Sequence, residues 1–209
     1  MKRDEFFSQW SQIHGGAAIS GIVKAWLAIS FTLCSGLKKI RITPNTLTYS
    51  SLLLAVGFIA LIETLWAIPL LVLSLAADGL DGTLAIITGR VTKWGAALDA
   101  IVDRVVESFW AIGLFLLGAP WQAVLIAWLA AFSQEYMRAR AGGLGIHDIG
   151  VVTVAERPIR ATVIFIVLVG RLFEFDCATV ASIIWAVAQT ISVFTVLNFL
   201  RPLLRQSPR

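Results

Sequence analysis

The sequence predicts an all-α integral membrane protein, with six transmembrane helices preceded by an N-terminal interfacial amphipathic helix. Three observations carry that expectation. Hydrophobic residues make up 58% of the 209 positions and charged residues 14%, against about 45–50% and about 25% in soluble domains. Mean hydropathy is +0.83. Six apolar stretches, at 45–65, 68–89, 95–117, 121–141, 157–173 and 177–204, each approach the roughly 20 residues needed to cross a hydrocarbon core. They leave no room for a sizeable soluble module. The chain therefore reads as one membrane domain over 1–209, with an interfacial region at 1–42 and a six-helix core at 43–209.

The opening stretch, 5–36, mixes Phe6, Phe7, Trp10, Ile13, Ile19, Ile22, Val23 and Trp26 with Lys24 and small residues. It reads as an amphipathic helix lying in the membrane interface, broken at Gly15-Gly16. Its first ten residues, MKRDEFFSQW, lack the apolar core of a signal peptide. Thr43-Pro44-Asn45 has the capping side chain and early proline of a helix start. Pro69, Pro120 and the stretch 173–176 mark short connections. The longest loop is AGGLGIHDIGVVTVAE, between the fourth and fifth spans.

Charge sets the orientation. Lys2, Arg3, Lys24, Lys38, Lys39 and Arg41 precede the first span, and Arg90 and Lys93 lie between the second and third. Arg138, Arg140, Arg157 and Arg160 flank the long loop, and Arg201, Arg205 and Arg209 close the chain. Arg104 lies within the third span, and the opposite side holds only Arg171. By the positive-inside rule both termini and the loop between spans two and three face the cytoplasm, in a plasma (inner) membrane protein. The net charge of +4, in a chain this apolar, points to anionic headgroups and an anionic substrate rather than nucleic acid. The eight tryptophans suit membrane interfaces.

Four acids interrupt the apolar pattern. Asp78 and Asp81 are three residues apart on one face of span two; Asp99 and Asp103 are four apart on one face of span three. An ionised carboxylate at mid-membrane costs about 2.5–3.5 kcal/mol on insertion scales. Four of them call for a compensating cation in a polar cavity. Asp81 lies eight residues before Gly89 and Asp99 ten after it, so an antiparallel hairpin brings the pairs to similar depth. Hard carboxylate oxygens suit Mg²⁺, Mn²⁺ or Ca²⁺, and Mg²⁺ commonly bridges carboxylates to substrate phosphates. Gly79, Gly82 and Gly95 permit close approach of a helix or a bulky ligand.

This spacing resembles the signature of the CDP-alcohol phosphotransferases, D-x2-D-G-x2-A-R-x8-G-x3-D-x3-D. Asp78, Asp81, Gly82, Ala85, Gly95, Asp99 and Asp103 fall on it without a gap. One position departs, because Ile86 stands where the motif has arginine. The resemblance implies that Asp78, Asp81 and Asp99 ligate a metal, Mg²⁺ or Mn²⁺. Asp103 would also approach the metal and act as the general base. It implies a nucleotide subsite of Asn45, Thr48, Asp78, Gly79, Asp81, Gly82 and Thr83. Asn45 and Thr48 belong to TPNTLT, a weaker match that is also an ordinary helix start. The missing arginine puts the grip on the CDP moiety in question; Arg90, one helical turn on, is the candidate substitute.

Arg138 and Arg140 end span four in EYMRARAGG, and Arg157 and Arg160 open span five in ERPIR. The plain reading is headgroup anchoring. RAR and ERPIR, however, resemble the KAR and ERPER motifs of the phosphatidylinositol-phosphate synthase branch. In that branch cations hold the phosphate of a phosphorylated acceptor, with Arg201 as a further candidate here. Arg138 in place of lysine keeps charge and alters geometry. Cys34 and Cys177 read as two buried thiols, His14 and His147 as surface residues, and Glu63 as solvated. Glu107 would pair with Arg104 or a neighbouring helix, Glu135 would orient Arg138, and Glu156 would cap or orient the ERPIR segment.

The expected activity is transfer of a phosphatidyl group from CDP-diacylglycerol to a phosphorylated alcohol, with inositol 1-phosphate first and glycerol 3-phosphate as the alternative acceptor. An ether-lipid donor stays open, and the resemblance implies a homodimer. Two other classes remain: a divalent-cation transporter built on the aspartates, and a non-catalytic family member, for which Ile86 is the motive.

Overall fold

The computed structural model describes residues 1–13, 16, 18–146 and 151–206, all of them helices or short connections. His14, His147 and Arg209 lie outside the described residues. In chain order the helices are α1 (Arg3–Ile13), α2 (Gly21–Lys39), α3 (Pro44–Ala60) and α4 (Ala67–Thr88), then α5 (Lys93–Leu116), α6 (Trp121–Gly143), α7 (Arg157–Leu172) and α8 (Ala178–Gln206).

Local chemistry explains the boundaries. The Thr43 hydroxyl accepts the backbone N–H of Thr46 at 3.2 Å, and Pro44 occupies the first turn of α3, a capped start. At the end of α4 the Arg90 N–H reaches the Ala85 carbonyl at 2.9 Å. Gly89 supplies the positive φ, 66°, that this closing turn requires. Thr92 caps α5 by accepting the Gly95 N–H at 3.0 Å. Asp176 accepts the Ala178 N–H at 3.1 Å where α8 begins.

Helices α3 to α8 coincide with the six expected spans, but the six-span count is not carried through. Among the described residues, Ala67–Thr88 and Ala178–Arg205 are long and apolar enough to cross a membrane. Val23–Lys39 and Pro44–Ala60 pass only together, as a pair bent by 108°. The shortfall has a physical reason. α5 carries Lys93, Asp99, Asp103, Arg104 and Glu107, α6 carries Glu135, Arg138 and Arg140, and α7 has only 16 residues. Apolar helices of this length make the chain an integral membrane protein.

The chain divides into two compact units, residues 1–55 with 72–106 and residues 56–71 with 107–209. In the first, Phe6, Leu27, Cys34, Leu47, Leu80, Leu84, Ile86 and Ile87 form a buried cluster flanked by Phe7, Trp10 and Phe31. Phe6 on α1 is thus fully buried, while Ile13 at the end of the same helix stays exposed. The stripe Trp26, Ile29 and Leu33 of α2 stays exposed, while Leu27, Ser30 and Cys34 on its other side are buried. The Cys34 thiol donates to the Leu80 carbonyl at 3.3 Å, and Ser74 donates to Ser51 at 2.8 Å, tying α2 and α3 to α4. Cys177, expected to be buried, is partly exposed.

In the second unit α6 packs along α8, and α7 packs on α8. Close approach needs Gly113, where a Cβ would stand 2.7 Å from the Phe58 ring. Glu63 and Arg171, expected together on the side away from the cytoplasm, pair at 3.2 Å.

Candidate active site

Helix periodicity in the first unit places Asp78 and Asp81 one turn apart on α4, and Asp99 and Asp103 one turn apart on α5. One carboxylate oxygen from each of Asp78, Asp99 and Asp103 lies within 4.8 Å of the others, and all three residues are half-buried. At such a separation like charges repel by about 3 kcal/mol per pair at an effective dielectric constant of 20. Arg104, 3.7 Å from Asp103, offsets part of this. A divalent cation offsets far more. The donor set fits one: three hard oxygens need to close only slightly to the spacing of about 3–4 Å set by metal–oxygen bonds near 2.1 Å.

Asp81 is placed differently. It is nearly buried, and the Thr48 hydroxyl donates to its Oδ2 at 2.5 Å. Thr48, expected at the nucleotide, is itself buried and holds a carboxylate. Asn45, in the first turn of α3, faces the start of α5, its side-chain oxygen 3.5 Å from where a Gly95 Cβ would stand. Gly79 is needed for a reason the sequence did not reveal. A Cβ there would come within 2.8 Å of the Trp26 indole, so α2 lays an aromatic ring directly on the Asp78–Asp81 turn. Around Gly82 there is open space instead, and Gly82 is exposed. Thr83 is buried, and Arg90 is exposed just beyond the end of α4. Ile86 belongs to the buried apolar cluster.

The second unit gathers three of the predicted arginines with three acids. Arg160 has no exposed surface. Its Nη1 donates to Glu107 at 2.8 Å, Nη2 to Glu135 at 2.9 Å and Nε to the Ala155 carbonyl at 2.8 Å. These three bonds fix the guanidinium within the protein, between α5, α6 and the segment before α7. Arg138 binds Glu156 through both terminal nitrogens, at 2.9 and 2.8 Å, and also the Val151 carbonyl at 2.9 Å. Its side chain is 24% exposed, and Glu135 stands 3.5 Å away, the expected pairing. Arg157 lies 3.9 Å from Glu107, with its guanidinium 5.4 Å from the Trp110 ring centre. Arg140 and Arg201 are exposed.

Glu107 therefore reaches across to α7, one of its two expected partners. Glu156, which flanks α7, makes no side-chain cap to that helix. It accepts instead from Arg138 and from the backbone and hydroxyl of Thr153, each at 2.8 Å. Burial, the largest single influence, pushes its carboxyl upward. The hydrogen bonds from Arg138 and Thr153 together overcome that and bring it from 4.5 to about 2. Gln134, Gln189 and Thr153, which join this network, went unnoticed in the sequence. The signal for the two glutamines is an amide in the middle of an apolar helix; Thr153, in the connection before α7, offers none.

Convergent carboxylates on apolar helices define a membrane enzyme or transporter with an acidic, cation-compatible site. Comparison with known proteins decides between these. Residues 41–197 match the CDP-alcohol phosphatidyltransferase family, and the chain belongs to that family, a group of transferases of substituted phosphates. It is 35% identical over 177 residues to the phosphatidylinositol phosphate synthase of Corynebacterium glutamicum, covering 77% of each chain. It is 32% identical over 155 residues to the archaetidylinositol phosphate synthase of Pyrococcus horikoshii, covering 71% of this chain and 81% of that one. Its fold is similar to that of the Mycobacterium tuberculosis phosphatidylinositol phosphate synthase crystallised with CDP-DAG bound. That match has a TM-score of 0.65 and 25% identity, covering 83% of this chain and 94% of the other. Another crystal structure of the same synthase, in complex with manganese and citrate, matches with a TM-score of 0.62 and 24% identity, covering 81% and 87%.

Proposed function

We propose that this protein transfers a phosphatidyl group from CDP-diacylglycerol to a phosphorylated alcohol, inositol 1-phosphate, yielding a phosphatidylinositol phosphate and CMP. The observation that carries this reading is the convergence of Asp78, Asp99 and Asp103 in a chain whose named relatives include synthases of that lipid class. Asp78, Asp99 and Asp103 hold Mg²⁺ or Mn²⁺, with Asp81, steadied by Thr48, completing the acidic set. The cation neutralises the pyrophosphate and stabilises the leaving phosphate. Asp103 takes the proton of the acceptor hydroxyl. The hydroxyl oxygen attacks the β-phosphorus, the bond from that phosphorus to the bridging oxygen breaks, and CMP leaves with the oxygen.

Gly82, with open space around it, Asn45, Gly79, Thr83 and Arg90 complete the nucleotide subsite. Arg138, Arg140, Arg157 and Arg201 take the acceptor's phosphate, and Arg160 supports them. Arginine suits that task because its planar fork matches phosphate oxygens. The protein works as a homodimer in the plasma membrane, with its termini and site opening to the cytoplasm, as its basic residues indicate.

The test is CMP release from CDP-diacylglycerol by purified protein, with inositol 1-phosphate, glycerol 3-phosphate, inositol and serine offered in parallel. Release is expected with inositol 1-phosphate. Chelation should abolish it, and Asp103→Asn should lower it by about 10²–10⁴-fold, the usual worth of a general base. Release only with glycerol 3-phosphate would reassign the acceptor. Cation flux into vesicles without CMP release would replace the reading with transport.

A further inference from the structure

An unbroken chain of hydrogen bonds runs from the middle of α8 to Arg138. Trp185 Nε1 donates to Gln189 Oε1 at 3.3 Å, and Gln189 Nε2 donates to Gln134 Oε1 at 2.6 Å. Gln134 Nε2 then donates to the Thr153 hydroxyl at 3.2 Å, which donates to Glu156 Oε1 at 2.8 Å. Glu156 accepts both terminal nitrogens of Arg138. Gln134 and Gln189 have no exposed surface, and Trp185 is 2% exposed.

The direction of this chain is fixed by its ends. An indole N–H can only donate, so Gln189 must turn its oxygen to Trp185 and its amide nitrogen to Gln134. Gln134 must then show its nitrogen to Thr153. The hydroxyl, having accepted, points its own proton at Glu156. An ionised carboxylate can only accept, which closes the sequence at Arg138. Reversing any link leaves two donors or two acceptors face to face. Buried amides away from water are costly unless paired. The network therefore has one low-energy arrangement, and it ends on a guanidinium that is partly accessible.

The same loop is pinned at a second point, where the Ala155 N–H donates to the Ser192 hydroxyl of α8 at 3.1 Å. The Arg138 Nε is buried and has no hydrogen-bond partner, so the plane of this guanidinium is set by the bonds of its two terminal nitrogens. We propose that Gln189, acting through Gln134, Thr153 and Glu156, is a positioning residue that orients Arg138 toward the acceptor's phosphate and so makes the enzyme prefer a phosphorylated alcohol. This rests on the acceptor assigned under Proposed function. Neither glutamine touches substrate; each acts by fixing the aim of the arginine.

Steady-state kinetics of the full-length protein in detergent micelles test this, with inositol 1-phosphate and inositol as acceptors. Gln189→Leu should raise the KM for inositol 1-phosphate about tenfold, the scale of one misdirected charged hydrogen bond. The KM for CDP-diacylglycerol should not move, and the preference over inositol should fall by the same factor. Thr153→Val cuts the chain nearer Arg138 and should reproduce the effect. The double variant should be no worse than either single one, because both break one chain. Gln134→Leu combined with Gln189→Leu removes both amides together and leaves only the Trp185 N–H without its acceptor, so it strains the fold less than Gln189→Leu while keeping the kinetic defect. An unchanged acceptor KM in folded variants would overturn the proposal, as would additive effects or equal changes in both KM values. If the wild-type enzyme turns over but shows no preference for the phosphorylated alcohol, the acceptor assignment and this inference fall together. A preference that survives in Gln189→Leu removes this inference alone.

Discussion

Substituting Ile86 by arginine gives the chain the residue that the family's aspartate motif carries at that position. In this protein the position is 5% exposed, inside a cluster with Phe6, Leu27, Cys34, Leu84 and Ile87. Removing the isoleucine forfeits about 2 kcal/mol of apolar burial. The incoming guanidinium finds apolar neighbours and, at the end of α4, the ammonium of Lys38 on the Ile87 carbonyl at 3.3 Å. An uncompensated buried charge costs about 3–5 kcal/mol. Against a native stability of about 5–15 kcal/mol, such a loss lowers the melting temperature on the order of 10 °C. Ile86→Arg should therefore unfold early and release less CMP, rather than gain nucleotide affinity. Ile86→Ala, which only opens a cavity, should cost about 2–4 kcal/mol. Thermal unfolding in detergent, read beside CMP release at a temperature where each variant is folded, checks this. An Ile86→Arg protein that melts with the wild type and binds CDP-diacylglycerol more tightly would refute the reasoning.

Gly79→Ala should cost about 1–3 kcal/mol, because its methyl group would overlap the Trp26 ring; adding Trp26→Ala should recover part of that loss in the same melting assay. The Glu156 carboxyl is held near 2 against an ordinary 4.5. A depressed folded-state value contributes stability that is complete above the ordinary value and drains away as pH falls toward the folded one. Stability should accordingly decline between about pH 4.5 and pH 2, and unfolding followed across that window should show a flatter profile for Glu156→Gln.

The acidic site was legible because helical spacing alone puts acids three or four residues apart on one face, and burial in lipid makes them expensive. The hairpin through Gly89 then decides which of them meet. Sequence could not say that Asp81 would be held by Thr48, since that depends on how α3 lies against α4. It exposed the Ile86 substitution but not its consequence, because Ile86 is buried in a cluster that reaches back to Phe6, some eighty residues earlier. The burial of Phe6 was hidden for the same reason. An apolar face reads alike whether it meets lipid or protein. Apolarity alone does not return the six spans, because α5 and α6 carry the charges of the two polar networks, and those charges lower the hydropathy on which such counting relies.

The arginines pose the subtler problem. Arg138, Arg157 and Arg160 are balanced by Glu107, Glu135 and Glu156, so the cluster is formally neutral before any ligand arrives. Replacing buried ion pairs by apolar residues is often neutral or stabilising, so stability alone gives little reason to keep six charges in a membrane protein. What the acids supply is direction. Glu107 and Glu135 fix Arg160, each also stands beside one further arginine, and Glu156 grips Arg138 in a bidentate pair. A lysine at 138 would place its charge with three freely rotating donors, whereas Glu156, bonded to both terminal nitrogens, holds the arginine's plane at a set angle.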